Sequence, residues 1–199
     1  MTLVVAAGAD SGTGGLVVSA ARRRGYDVRS LDALDDPRAV AETVGDARAI
    51  VLIPKRGHAE RHAHAAVRTL VDAARGAHLV LVSSFAVGHG PSHPFNRATA
   101  SIAGRAAAEQ ALRASRLPWT IVRPTWLTDD PPGAHALTLT QDPLADGMLS
   151  RADLAAVLVA AVEQPAARGT TFAAFNEPGT PPRDWASLFA GLHRDRAAA

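Results

Sequence analysis

The stretch from Leu3 to Asp32 leaves the chain few folds to choose from. Leu3-Val4-Val5-Ala6-Ala7 is an apolar run of strand length, and it feeds Gly8-Ala9-Asp10-Ser11-Gly12-Thr13-Gly14. Leu16, Val17, Ala20 and Ala21 then recur at helical spacing. Gly25 closes that helix, and Tyr26 to Leu31 is a second strand tipped by Asp32. The pattern predicts a β-α-β unit with a glycine turn at its first corner. Gly8 lets the backbone leave the strand sharply, and Gly14 lets the helix pack close to the sheet. The amides and the dipole at the helix start favour an anion there. Asp32 stands where a carboxylate can hold a ribose hydroxyl pair. The expected ligand is a dinucleotide held by Gly8, Asp10, Ser11, Gly12, Thr13, Gly14 and Asp32. The alternative is a tight glycine turn that binds nothing.

Strand and helix patterns alternate through the rest of the chain. Asp35-Asp36-Pro37 opens a short helix, and Ala49 to Ile53 is a third strand stopped by Pro54. Val67, Leu70, Val71 and Ala74 mark a helix face, and His78 to Val82 is a fourth strand ending in Ser83-Ser84. A loop over 88–94 precedes a long helix from about Thr99 to Ala114, and Trp119 to Val122 is a fifth strand leading to Arg123-Pro124. Residues 129–147 read as a proline- and glycine-rich connection around the alternating piece Ala136 to Thr140. Ser150-Arg151-Ala152-Asp153 is a capping box. A late strand covers Thr171 to Phe175 and a last helix Pro182 to Leu192. This predicts an α/β fold: one Rossmann-like, doubly wound parallel sheet in a single domain over 1–199, with a small C-terminal cap from 123–149 and 171–199.

Composition narrows the function. The 199 residues are 47% hydrophobic and 20% charged, and no uncharged run is long enough to span a membrane. The chain starts directly in a strand, with no signal-peptide layout, and it has no cysteine, so the expected location is the cytoplasm. The net charge is only +2, and Arg22-Arg23-Arg24 reads as a solvated helix face, so no nucleic-acid partner is expected. His58 and His62 stand four apart, but Glu60 is not placed as a third ligand, so no metal is expected either. Tyr26 is the single tyrosine and Lys55 the single lysine.

Four segments resemble the atypical short-chain dehydrogenase/reductase superfamily, in particular its small NAD(P)H-binding, NmrA-like members, a group that includes biliverdin and flavin reductases. They are the glycine loop Gly8 to Gly14, Leu79 to Ser84, Trp119 to Pro124, and Leu149 to Ala155. The resemblance implies an NAD(P)H cofactor. It also exposes departures: Asp10 and Ser11 stand where relatives carry Thr and Gly, and the third strand ends in bulky Ile53-Pro54-Lys55-Arg56. A carboxylate beside a pyrophosphate repels it unless Asp10 turns away, for instance to cap the helix. Relatives' phosphate-binding arginines are Gly15 and Ala33 here, so Asp32 tilts the choice toward NAD, while Lys55 or Arg56 would tilt it back. Counting back from Glu109 puts Arg105 and Ser101 where many relatives have Lys and Tyr, so the usual acid pair is missing.

The remaining candidates for chemistry each have a plain structural alternative. Ser84 ends the fourth strand beside the expected nicotinamide, or merely bonds the backbone. His89 and His93 are proton donors or surface histidines, with His93 held by Pro94. Ser83 joins the cofactor set. Asn96 orients substrate or caps the long helix. Arg105 holds a phosphate or carboxylate, or, as the readier reading, pairs with Glu109. Arg123, Trp126 and Met148 line the substrate side, the last two as an apolar wall for a flat molecule or as ordinary core.

The expected function is an NAD(P)H-dependent oxidoreductase lacking the Tyr-Lys pair, acting on a small conjugated or aromatic carbonyl or enone. One alternative is a non-redox isomerase, cyclase or dehydratase in which the former cofactor crevice holds substrate and Asp10 or a loop histidine is the acid/base. The other is an NmrA-like NAD(P) sensor without catalysis. The alanine-rich long helix suits a homodimer face and equally the core.

Overall fold

A computed structural model describes residues 1–6, 8–54, 62–90, 100–181 and 184–196. The strands are β1 (Thr2–Ala6), β2 (Asp27–Leu31), β3 (Ala49–Leu52), β4 (His78–Val82), β5 (Trp119–Pro124), β6 (Trp126–Thr128), β7 (Ala136–Thr140), β8 (Met148–Ser150) and β9 (Thr170–Glu177). The helices are α1 (Gly12–Arg23), α2 (Pro37–Val44), α3 (Ala63–Ala73), α4 (Phe85–Gly88), α5 (Ala100–Arg113), α6 (Arg151–Glu163) and α7 (Trp185–Ala190). The sheet runs β2-β1-β3-β4-β5-β9-β8-β6, with β7 also paired to β9. Strands β2, β1, β3, β4, β5 and β9 are mutually parallel, and β7 is antiparallel to β9.

Strand alternation divides the buried side chains between two cores, as a doubly wound sheet requires. Val5, Val51, Val80, Val122 and Phe172 pack with Val17 of α1 and Leu154, Val157 and Leu158 of α6. Ile50, Leu52, Leu79, Leu81 and Ile121 pack on the other face with Val40 of α2, Leu70 of α3 and Leu112 of α5. The parallel strands β3 and β4 are buried along their whole length, which is why both read as continuous apolar runs.

Three predicted features differ in form. The 88–94 loop is preceded by the one-turn helix α4, capped by Ser84. Strands β6 and β8 flank β7 in the stretch read as a connection. None of the three spans more than four residues, too few for a periodicity to register. The C-terminal segment of the expected cap lies away from the glycine turn. Phe189 of α7 meets Phe172 edge-on at 5.7 Å, and Arg24, just past the far end of α1, sits over Trp185. The tail continues beneath β9, where Asp195 accepts from the Thr171 amide at 2.9 Å.

Half of the predicted capping box forms. Ser150 Oγ accepts from the Asp153 amide at 2.9 Å. Asp153 does not reach back to Ser150; it accepts from the Gly133 amide and from Asn176 Nδ2, both at 2.9 Å, while Asn176 Oδ1 accepts from the Ser150 amide at 2.8 Å. The acid therefore ties the 129–135 connection down to β9.

His78, at the start of β4, couples folding to pH. Thr120 Oγ1 gives its one proton to the Ala167 carbonyl at 2.7 Å, so His78 Nε2–H donates to Thr120 Oγ1 at 2.9 Å. Its Nδ1 is buried without a hydrogen-bond partner. Burial, then the nearby Arg168 charge, push the imidazole from 6.5 down to about 4. The unfolded chain therefore takes up this proton first as pH falls. The stability contributed by neutral His78 is complete above about 6.5 and drains away toward about 4. Urea unfolding is expected to show wild type losing about 2 kcal/mol more than His78→Leu between neutral pH and about pH 5. Parallel profiles for the two proteins would contradict this.

Candidate functional site

The glycine turn is built by two close approaches with an opening between them. A Cβ on Gly8 would lie 2.5 Å from the Ile53 carbonyl oxygen, and one on Gly14 would lie 1.7 Å from the Gly8 carbonyl oxygen. Neither position tolerates a side chain. Gly12 and Gly15 have nothing within 4 Å of where a Cβ would stand. The opening sits at the amino end of α1, where the amides of Gly12 and Thr13 have no helical acceptor. Tight glycines on either side of an open one give room for a phosphate against the helix N-terminus.

Ser11 turns out to be the helix cap. Its Oγ accepts from the Gly14 amide at 3.0 Å and donates to the Gly8 carbonyl at 2.6 Å. Its backbone at φ −75° and ψ 161° is ordinary extended chain, so glycine's freedom is not needed there. Asp10 does not cap the helix; it is exposed on the turn. The bulk of Ile53 is also accommodated. Its side chain is buried and closes on Gly8, whose missing Cβ makes the room. Asp32 is exposed immediately after β2, beside the carboxyl end of β1, where Ala6 pairs with Leu31.

At the carboxyl ends of β4 and β5 lies a buried ionic cluster. Glu109 on α5 is 1% exposed. Its Oε1 accepts from Ser83 Oγ at 2.6 Å and Arg123 Nε at 2.9 Å; its Oε2 accepts from Arg123 Nη2 at 2.7 Å and Arg113 Nη2 at 3.0 Å. Four donors on two oxygens saturate the carboxylate. Arg113 also reaches Thr171 Oγ1 and Asp195, so the cluster extends to the tail. The expected Arg105–Glu109 pair is replaced: Arg105 Nη1 donates to the carbonyls of Val82 and Ser83 at 2.9 and 2.8 Å. The Ser83 hydroxyl, expected on the cofactor, is engaged by Glu109. Ser84 Oγ accepts from the Ala86 amide at 3.3 Å, as the cap of α4.

Beyond Ser84 the site becomes aromatic. Phe85 meets His89 edge-on at 5.5 Å and Trp126 at 5.1 Å. Trp126 pairs in register with Met148, and both are exposed, at 42% and 59%, not core. His89 Nε2 lies 3.3 Å from the Ala145 carbonyl. The structure thus brings together Ser83, Ser84, His89, Arg123, Trp126 and Met148 around the ends of β4 and β5. His93 and Asn96 lie outside the described residues, as do Lys55, Arg56 and His58. Tyr26 is remote: it is buried at the other end of α1, where burial and the Glu163 carboxylate push its phenol up. Phe85 carried no role in the sequence, and Glu109 read there only as the partner of Arg105. The signal for Glu109 was a lone acid on α5, four residues from an arginine on either side.

Residues 19–165, more than half of the chain, match the model of a family described as NAD(P)H-binding. The chain belongs to the NAD(P)H-binding family. The match starts inside α1, so the geometry of the glycine turn is a separate observation. No curated protein matches the chain. Solved structures share the fold. The oxidoreductase ylbE from Lactococcus lactis superposes with a TM-score of 0.82 at 15% identity, covering 98% of this chain and 100% of that one. The anaerobillin reductase ChuY from Escherichia coli gives 0.73 at 24%, covering 92% and 100%. A short-chain dehydrogenase/reductase from Veillonella parvula in complex with NADP gives 0.68 at 16%, covering 92% and 99%. No helix among the described residues is long and apolar enough to cross a membrane.

Proposed function

We propose that this family member is an NAD(P)H-dependent reductase of a small, flat, conjugated or aromatic carbonyl or enone. The observation that carries the reading is the opening at Gly12 between the close approaches at Gly8 and Gly14. A bound reduced nicotinamide supplies the hydride. The first amides of α1 hold the pyrophosphate, and Asp32 accepts from ribose hydroxyls, which favours NAD over a 2′-phosphorylated cofactor. Ser84, at the strand end, positions the substrate oxygen. Trp126, Phe85 and Met148 offer a flat apolar wall to the substrate ring and shield it from water. His89, already edge-on to Phe85, is the candidate proton donor within the described residues. The Arg123–Glu109–Ser83 cluster holds the floor rigid.

The non-redox alternative rested on Asp10, Ser11 and the bulky end of β3. Ser11 and Ile53 fit the turn without strain, which favours the redox reading. Steady-state assays following NADH consumption with a panel of quinones and enones test it. Trp126→Ala is expected to raise KM about fivefold with a smaller change in kcat, the loss of a stacking contact of about 1 kcal/mol. Binding of NADH with no turnover of any panel member would point instead to a sensor.

A further inference from the structure

The small net charge hides a sorted distribution. Each of five turns that feed a parallel strand carries an arginine: Arg24 before β2, Arg48 before β3, Arg75 before β4, Arg116 before β5 and Arg168 before β9. All five are exposed. The register of the sheet puts these turns on one edge, at the amino ends of the strands. Thr2 bonds the Arg48 amide, the Arg48 carbonyl bonds the His78 amide, and Trp119 bonds the Gly169 amide. Neighbouring strands lie about 4.8 Å apart, so the row from β2 to β9 is roughly 24 Å long. Exposed Arg22 and Arg23 extend it at one end and the tail's Arg194 at the other.

Several acids on this edge are already matched. Glu163 pairs with Arg24, Asp46 with Arg29 at 2.6 Å, and Asp195 with Arg113 at 3.2 Å. That leaves Asp27, Asp72 and Asp184, the last beside the Trp185 ring that Arg24 covers, against the row. Among the described residues the guanidinium groups of Arg48, Arg75, Arg116 and Arg168 make no ion pair or hydrogen bond. The exposed acids Asp10, Asp32, Asp35 and Asp36 are on the opposite edge, around the crevice. Helix dipoles account for Arg22 and Arg23 in the last turn of α1, but that effect fades within a turn and does not reach Arg48 or Arg168.

We propose that this arginine edge docks the phosphate backbone of a nucleic-acid duplex, without reading its sequence. Guanidinium groups match phosphate oxygens in geometry, and a rigid, evenly spaced row suits a rigid polyanion. The only exposed large apolar side chain on this edge is Met1, and no exposed aromatic ring lies there among the described residues. The edge therefore offers neither a base-stacking platform nor an insertion surface for a bilayer. Docking here leaves the cofactor crevice open on the far side.

The test is fluorescence anisotropy with a labelled 20-base-pair duplex of arbitrary sequence, as DNA and as RNA. Four or five neutralised phosphates predict affinity falling about 150- to 500-fold between 50 and 200 mM salt. Both duplexes are expected to bind alike. The combined Arg48→Gln, Arg75→Gln, Arg116→Gln and Arg168→Gln variant is expected to bind at least 30-fold more weakly and with a flattened salt slope. Arg68→Gln, on the flank of α3, is expected to bind as wild type, and thermal melts establish that each variant is folded. Absence of wild-type binding at low salt overturns the proposal, as does undiminished binding by the folded quadruple variant. Binding to vesicles rich in anionic lipid but not to either duplex also overturns it.

Discussion

Gly12→Ala is expected to abolish most NADH binding while leaving the fold intact, and Gly14→Ala to do the reverse in origin: it breaks the fold first. A methyl on Gly12 enters open space at the first turn of α1, with no neighbour within 4 Å. It costs the fold nothing and improves helix propensity slightly. It occupies the space in which a phosphate meets the amides, so NADH affinity should fall tenfold or more, about 1.4 kcal/mol. A methyl on Gly14 would sit 1.7 Å from the Gly8 carbonyl oxygen, and backbone cannot swing aside as a flexible side chain can. The helix must move off the sheet, at a cost of about 3 kcal/mol or more. Thermal melts and calorimetric titration on the same preparations separate the two. If Gly12→Ala binds NADH as wild type does, the opening is not the phosphate site.

Glu109→Ala is expected to be the most damaging single change outside the glycine turn. It strips the shared acceptor from Arg123, Arg113 and Ser83 at once, leaving two guanidinium groups facing each other in a mostly buried place. Breaking a buried charge cluster by removing one partner typically costs about 3–5 kcal/mol, a large share of a domain's stability. Glu109→Gln keeps one acceptor oxygen and is expected to cost less. Denaturant titration reads both. A loss below about 1 kcal/mol for Glu109→Ala would mean that the arginines find water or other acceptors and that the cluster does not hold the floor of the site.

The elements that were legible in the sequence are those whose cause is local. Val5, Gly8 and Gly14 announce the strand and its turn, and Asp36-Pro37 announces α2, where Asp36 indeed caps the Arg38 and Ala39 amides at 2.9 and 3.2 Å. Ser150 announces α6. What was not legible depends on distant partners. The function of Asp153 needed Gly133 and Asn176, each at least 20 residues away, so its motif predicted a box that only half forms. Glu109 reads as an ordinary i, i+4 partner of Arg105 until β4 and β5 are adjacent and bring Ser83 and Arg123 to it. Ser11 and Asp10 are neighbours with equal capping propensity, and only the backbone path out of Gly8 decides that Ser11 takes the cap. The arginines before the strands look scattered because the spacing that unites them is that of the fold.

Isothermal titration of the purified protein with NADH and with NADPH, alongside Asp10→Thr, asks whether the crevice holds a nicotinamide dinucleotide. Asp10 is exposed on the turn while Ser11 caps the helix, so wild type is expected to bind NADH with a micromolar Kd and more tightly than NADPH. The Asp10→Thr variant should gain modestly as one carboxylate leaves the vicinity of the pyrophosphate. No binding of either nucleotide to wild type, with binding restored by Asp10→Thr, would mean that this chain has given up its cofactor, and the reductase reading would fall.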